Sequence, residues 1–148
     1  MKMNFAIDIV RRLFPAKSAI SLEYYWRFHK LPNLRNPKTY NEKIQWMKLY
    51  YHDKSYVDLI DKYEAKKIVS KIIGNDHIIP TLNIWDHVED IDYAHLPNQF
   101  VLKCTHDSGS TIICKDKNYF DYSEANKRLK KCLNRNLYYY GHEWPYKY

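Results

Sequence analysis

The sequence FVLKCTHDSGSTIICK, residues 100–115, indicates a small β-sheet in a chain whose other patterns are mostly helical. Two apolar runs, QFVLKC and TIICK, flank a polar segment that contains one of only three glycines. Strand-forming runs separated by Gly, Ser and Asp predict two strands joined by a loop. We therefore predict a β-hairpin, or two nearby strands, with HDSGS between them and Lys103 at the end of the first.

The polar segment THDSGS carries groups that suit an anion. It offers backbone N–H groups beside small side chains, two serine hydroxyls and one threonine hydroxyl, and the preceding strand fixes Lys103 next to them. These are the parts of a phosphate-binding loop. Neither a Walker A pattern nor GxGxxG is present, however, and a single glycine by itself favours an ordinary polar turn.

The first 54 residues have the pattern of a helical region. The opening segment MKMNFAIDIVRRLF has no small-residue cleavage site and is too polar to span a membrane. We favour a packed terminal helix over a short amphipathic helix on a membrane surface. Residues 18–30 predict a helix that ends before Pro32. Thr39, followed three residues later by Glu42, predicts a capping box at the next helix.

Further elements are predicted on both sides of the hairpin. Apolar residues recur at near-helical spacing over 56–73, and Gly74 is placed to cap that helix. Residues 78–85, IIPTLNIW, have a short β-like pattern. A last helix is predicted from Ser123, with three residues on its buried side: Leu129, Cys132 and Leu133.

Composition bounds the class of protein. At 148 residues the chain can bury one real core, and 45% hydrophobic content is typical of an ordered globular protein. The net charge of +7 favours anionic partners, which include nucleotides, nucleic acid, phosphorylated sugars and acidic membranes. Three cysteines without CxxC spacing fit a reducing compartment. We expect a cytoplasmic location, or a peripheral one at the inner face of the membrane.

Two local patterns around the loop suggest other chemistry and are weaker. His106, Asp107 and Ser108 contain the residue types of a hydrolase triad, but sequence neighbours seldom face one another in the required geometry. Cys104, His106 and Cys114 do not match the spacing of a common zinc site. We expect the two cysteines to be buried small residues and predict no metal site in this chain.

Several blocks of the chain, in order, carry a family resemblance: NPKTYNEKIQWMKLY, DKYEAKKIV, IIPTL, LPNQFVLKCTHDSGSTIICKDK and YYYGHEWPYK. Together they resemble the TupA-like ATP-grasp family, which is associated with bacterial teichuronopeptide and capsular polysaccharide biosynthesis. The resemblance covers roughly residues 20–148. It implies a mixed α/β fold in which a helical part precedes a small sheet, a strand-loop-strand unit and a packed helix, as in the first half of an ATP-grasp fold.

The resemblance also implies site residues and cofactors. Lys62 resembles the lysine that precedes the nucleotide-binding domain, and Lys103 resembles the lysine that leads into the phosphate loop. Ser108, Gly109 and Ser110 resemble that loop. ATP and Mg²⁺ are the implied cofactors, with a saccharide or an amino acid as acceptor. The family's usual reaction activates a carboxylate as an acyl phosphate, which an amine then attacks.

The resemblance implies a division of the chain and an incomplete site. Residues 1–54 would form the helical region, and residues 55–148 a partial nucleotide-binding region. Family members continue into a hinge strand and magnesium ligands, so the resemblance implies an N-terminal half that lacks catalysis by itself. No catalytic residue is predicted.

Two alternative functions stay open on the sequence. Family members are often labelled glycosyltransferases, and Asp90 with Asp92 has the spacing of a DxD metal pair that such an enzyme would need for a nucleotide sugar. A basic nucleic-acid-binding module has only charge and aromatic content in its favour, and we do not expect nucleic acid as a partner.

Overall fold

Residues 5–147 contain seven α-helices and one two-stranded sheet, besides four short 3-10 helices. These are the residues that the computed structural model describes, without the side chains of Phe5, Ala6 and Asp8. The first four residues of the predicted terminal helix lie outside them. In chain order the elements are α1 (Phe5–Leu13), α2 (Ala16–Phe28), α3 (Tyr40–Tyr50), α4 (Ser55–Ile60), α5 (Lys62–Ile73), β1 (Phe100–Leu102), β2 (Ile112–Cys114), α6 (Tyr122–Leu133) and α7 (Tyr138–Gly141).

The chain divides into two compact units. The first, which we call the helical unit, comprises residues 1–58 and 136–148, and the second, the hairpin unit, comprises residues 59–135. Helices together with one antiparallel sheet confirm the predicted mixed α/β class. The predicted division into a helical region, residues 1–54, and a partial nucleotide-binding region, residues 55–148, stays a prediction.

Within the helical unit, α3 begins as the sequence predicts. The hydroxyl of Thr39 accepts a hydrogen bond from the Glu42 N–H, and the Glu42 carboxylate accepts from the N–H groups of Thr39, Asn33 and Lys38. These bonds, that of Thr39 first, lower the pKa of Glu42 to about 2. The capping box is thereby confirmed. The same carboxylate also ties the segment before α3 to the helix.

The first two helices pack within the helical unit. Helix α1 contacts α2 and α7. The Arg11 guanidinium donates two hydrogen bonds, of 2.7 and 2.8 Å, to the Glu23 carboxylate on α2. Helix α2 ends at Phe28, before Pro32 as predicted, and His29 caps it in the left-handed conformation. Among the helices of residues 5–147, none is long and apolar enough to cross a bilayer.

In the hairpin unit, β1 and β2 pair antiparallel and confirm the predicted hairpin. Their paired residues are Phe100 with Cys114, Val101 with Ile113 and Leu102 with Ile112. Side chains alternate between buried and exposed along both strands, as expected when one sheet face packs on a core. The core residues are Val88, Leu96, Phe100, Leu102, Cys104, Ile112, Cys114, Ala125, Leu129 and Cys132.

Two predicted elements of this region are wrong. The single helix over 56–73 is interrupted at Asp61, whose side chain accepts hydrogen bonds from Tyr63 and Glu64 and so starts α5 as a new helix. Gly74 does cap α5, with a φ of 89°. Residues 78–85 pair with no described strand, because the sheet contains β1 and β2 alone.

Helix α6 differs from its prediction at both ends. It begins at Tyr122 because the Asp121 side chain accepts from the Glu124 N–H, one residue before the predicted start at Ser123. Leu129 and Cys132 are buried as predicted, but Leu133 is 43% exposed. The last residue of the helix, Leu133, therefore lies outside the core, whereas Cys132 in the same turn remains within it.

Candidate functional site

The loop between the strands, residues 103–111, is closed at its base by a serine. The Ser110 side chain is buried and its Oγ accepts a 3.0 Å hydrogen bond from the Cys104 N–H. Gly109 has a φ of 93°, and nothing lies within 4 Å of the position that a Cβ would take. Glycine is needed there for backbone conformation rather than for space.

Lys62, the first residue of α5, holds this loop from outside it. Its backbone N–H donates to the Thr105 carbonyl at 3.0 Å. Its ammonium donates to the carbonyls of Cys104, at 3.1 Å, of Thr105, at 3.0 Å, and of Asp107. Because an ammonium has three N–H donors, these carbonyls use all of them. The lysine therefore positions the loop backbone.

Asp61 reinforces this junction. Burial pushes the pKa of Asp61 upward, but hydrogen bonds from the Thr105 hydroxyl and from the N–H groups of Glu64 and Tyr63 outweigh it. The pKa of the Asp61 carboxyl is lowered as a result. Its carboxylate thus caps α5 and contacts the loop at the same time.

Asp107 points inward from the middle of the loop. Its carboxylate is fully buried, and neither oxygen has a hydrogen-bond partner among the described residues. The Arg135 guanidinium approaches one oxygen at 3.9 Å. Burial raises the pKa of the neighbouring Cys132 thiol, and Asp107 raises it further. The Lys62 ammonium thus holds the loop carbonyls, and the Arg135 guanidinium approaches the inward carboxylate of the same loop.

A cavity of about 470 Å³ opens beside the loop. Three lysines line it and, among the described residues, no Asp or Glu does. The other lining residues are mostly apolar, which suits a ligand with an apolar body and an anionic group. Those apolar and aromatic residues include Ile79, Leu82, Ile84, Trp85, Val88, Ile91, Leu96, Phe100, Leu102, Leu129 and Leu133.

Lys66, one turn beyond Lys62 on α5, holds another wall of the cavity. Its ammonium donates to the Ile79 carbonyl at 2.7 Å and to the Thr81 hydroxyl at 3.0 Å. The segment 78–85, which lacks a strand partner, is therefore fastened to α5 by this side chain. Two lysines on one helix face thus fix two walls of the cavity.

The five predicted site residues fall into two groups. Lys62 and Lys103 both line the cavity, and Lys103 is exposed directly after β1. The three loop residues do not line it: Ser108 and Gly109 are exposed, whereas Ser110 is buried and bonded to Cys104. Their predicted roles in nucleotide binding stay predictions.

Two of the alternative chemistries lack supporting geometry. The Nε2 of His106 and both Asp107 oxygens have no hydrogen-bond partner among the described residues, so no His–Asp pair forms there. Cys104 and Cys114 are buried in the core, as predicted. No group of three His, Cys, Asp or Glu side chains within the described residues is placed to hold a metal ion.

The Asp90 and Asp92 pair also lacks the geometry of a metal site. One Asp92 oxygen accepts from the N–H groups of Ala94 and His95, and the other lies 2.5 Å from the His95 ring nitrogen. The His95 contact is the main cause of the lowered pKa of Asp92. This carboxylate therefore serves a local turn.

Sequence reasoning missed three residues of this site. Lys66 could have been found, since it is four residues from Lys62 and so lies on the same helix face. Asp107 and Arg135 carried no local signal, because their approach depends on how α6 packs beneath the loop.

The hairpin unit thus combines a strand-loop-strand element with a lysine-lined apolar cavity. A family model described as TupA-like ATPgrasp matches residues 42–148, which include the whole of this site. The chain belongs to the TupA-like ATPgrasp family. No curated protein and no solved structure matches it.

Proposed function

We propose that the cavity of the hairpin unit binds an adenine nucleotide, and that the chain acts in ATP-dependent carboxylate–amine ligation during cell-surface polysaccharide biosynthesis. The observation that carries the proposal is the lining of the cavity, in which three lysines and no described acidic residue accompany mostly apolar walls. Membership of an ATP-grasp family supports the same ligand.

The cavity fits the two chemical parts of a nucleotide. Its volume of about 470 Å³ lies within the range of ligand pockets, and its apolar and aromatic walls suit a planar base. We assign the phosphates to the side where Lys103 leaves β1, at the start of the loop that contains the exposed Ser108 and Gly109. Lys62 supports this arrangement indirectly, since its ammonium donors hold loop carbonyls.

ATP, when bound, supplies the phosphoryl group that activates a carboxylate for attack by an amine. The chain's own contribution is to bind and orient the nucleotide and to keep water from the base. The described residues contain no acidic cluster fit for Mg²⁺. The acceptor, a saccharide or an amino acid in this proposal, would bind beside the phosphates.

The decisive comparison is between two lysines at equivalent strand ends. Lys103 follows β1 and lines the cavity, whereas Lys115 follows β2, is exposed and is not among the lining residues. We expect Lys103→Ala to weaken ADP binding by about tenfold to a hundredfold, because a charge-assisted contact to phosphate contributes roughly 1.5–3 kcal/mol. Lys115→Ala should leave the affinity unchanged.

Isothermal titration calorimetry with ADP measures both variants, and thermal unfolding without ligand confirms that each is folded. Equal affinity losses in the two variants would indicate a general charge effect, and the assignment of Lys103 would then be wrong. An absence of ADP binding by the parent chain would contradict the proposed function itself.

A further inference from the structure

The positive charge of the chain is concentrated in the helical unit. Residues 1–58 and 136–148 contain twelve Lys and Arg against six Asp and Glu, a net charge of +6, whereas residues 59–135 contain twelve against eleven, a net charge of +1. An anionic surface therefore attracts the helical unit far more strongly than the hairpin unit. The nucleotide cavity lies in the nearly neutral unit and does not explain this asymmetry.

The corner between α1 and α2 exposes two large apolar side chains. Leu13 ends α1 and is 76% exposed, and Phe14, the next residue, is 50% exposed. Pro15 then serves as the N-cap of α2. Although α1 packs on α2 and α7, these two side chains are left in contact with solvent at the point where the chain turns.

Basic side chains flank this corner. Arg12 and Lys17 are exposed on either side of Leu13 and Phe14. The Arg12 guanidinium lies 5.4 Å from the centroid of the Tyr139 ring, which restrains where it sits. Arg11 points elsewhere and pairs with Glu23. An apolar tip between exposed cations is the combination found in protein segments that bind membrane surfaces.

We propose that the α1–α2 corner, residues 12–17, docks on an anionic membrane surface. Leu13 and Phe14 enter the boundary between headgroups and acyl chains, while Arg12 and Lys17 contact lipid phosphates. The ligand chemistry is an anionic phosphate headgroup above a hydrocarbon layer.

Other occupants of this corner fit less well. Nucleic acid would satisfy the cations but would leave the Leu13 and Phe14 side chains without an apolar partner. A second copy of the chain could cover the apolar tip, but it would bring two units of net charge +6 together. A lipid surface satisfies both the charge and the apolar side chains.

Flotation of the full chain with vesicles tests the proposal. Vesicles of phosphatidylcholine mixed with phosphatidylglycerol should carry the protein upward, vesicles of phosphatidylcholine alone should carry much less, and added salt should release it. The paired substitution Leu13→Ser and Phe14→Ser should weaken binding about tenfold or more. Arg12→Ala with Lys17→Ala should weaken binding only to the anionic vesicles.

A matched control replaces equally exposed apolar residues elsewhere. Ile72 is 76% exposed and Ile113 is 60% exposed, both in the hairpin unit and outside the cavity lining. Ile72→Ser with Ile113→Ser should float like the parent chain. Circular dichroism checks that each variant is folded.

Three results would overturn the proposal. The first is a parent chain that does not float with the anionic vesicles. The second is an equal loss in the corner variant and the control variant. The third is a corner variant that floats normally but dissociates a dimer of the parent in solution, or loses binding to an RNA oligonucleotide.

Discussion

Asp107 is the most deeply buried charged side chain among the described residues, with 1% of its surface exposed. A carboxylate without hydrogen bonds in such a place is costly unless a cation lies close. Arg135 is the cation that approaches it, at 3.9 Å, and it stays partly exposed. The inward side chain therefore brings the loop next to Arg135, just after α6, while Lys62 holds the loop carbonyls.

This arrangement predicts a large effect for one arginine and a small effect for another. Arg135→Ala removes the cation beside a buried carboxylate and should lower the free energy of unfolding by about 2 kcal/mol. Arg128→Ala, an exposed position within α6, should lower it by less than about 0.5 kcal/mol. Urea unfolding followed by circular dichroism measures both, and similar losses would show that Asp107 does not depend on Arg135.

At the scale of single residues, the sequence could predict a feature where neighbouring residues determine it. Lys103 was identifiable because a strand pattern runs directly into it, and the burial of Cys104 and Cys114 follows from the same alternation. The inward orientation of Asp107 could not be predicted, because in the sequence it is one polar residue in a polar loop. Its partner is 28 positions away and comes close only through the packing of α6.

Helix α5 is the element that organises the cavity. Lys62 fastens the 103–111 loop, and Lys66, one turn later, fastens the segment 78–85 through Ile79 and Thr81. The segment 78–85 gains no support from a β-ladder, because the described sheet contains β1 and β2 alone, whereas the loop is also closed by the pairing of these two strands. Helix α5 thus replaces sheet pairing by side-chain hydrogen bonds at the segment 78–85 and adds to the hairpin at the loop.

Each lysine should therefore control one wall and leave the other unchanged. Lys66→Ala should raise proteinase K cleavage within residues 78–85 about tenfold, because loss of a charge-assisted hydrogen bond lowers the cost of local opening. Lys62→Ala should do the same within the 103–111 loop. Mass spectrometry of the first cleavage products locates the cuts. Each variant is the control for the other, so increased cleavage at both walls in either variant would contradict independent support.

Most elements fixed by neighbouring residues were predictable, with the interruption at Asp61 as an exception, and those fixed by distant residues were not. The capping box of Thr39 and Glu42 and the hairpin each depend on local patterns, and both are confirmed. The interruption at Asp61 escaped prediction because apolar periodicity continued across it. Residues 78–85 have strand-like composition, but composition cannot supply a partner strand, and Lys66 holds them in an extended segment instead.

On the scale of the whole molecule, the hairpin unit has its own core and its own cavity. Every residue of the hydrophobic core around the sheet, and every residue that lines the cavity, belongs to residues 59–135. The helical unit has its own buried residues, among them Ala19, Ile20 and Tyr24. The hairpin unit should therefore fold and show the proposed nucleotide binding without the positive charge and the exposed α1–α2 corner of the helical unit.

A chain of residues 59–135 should then fold by itself and bind ADP with an affinity within about threefold of the parent, which corresponds to less than 1 kcal/mol. Because a single core of this size supplies only a few kcal/mol, the fragment should be marginally stable, and saturating ADP should raise its melting temperature by several degrees. The same fragment carrying Lys103→Ala is the control and should show a smaller shift.

The fragment should also fail to float with anionic vesicles, since it lacks the α1–α2 corner. A folded fragment without ADP binding would mean that the helical unit contributes to the site, and flotation of the fragment would place the membrane contact in the hairpin unit.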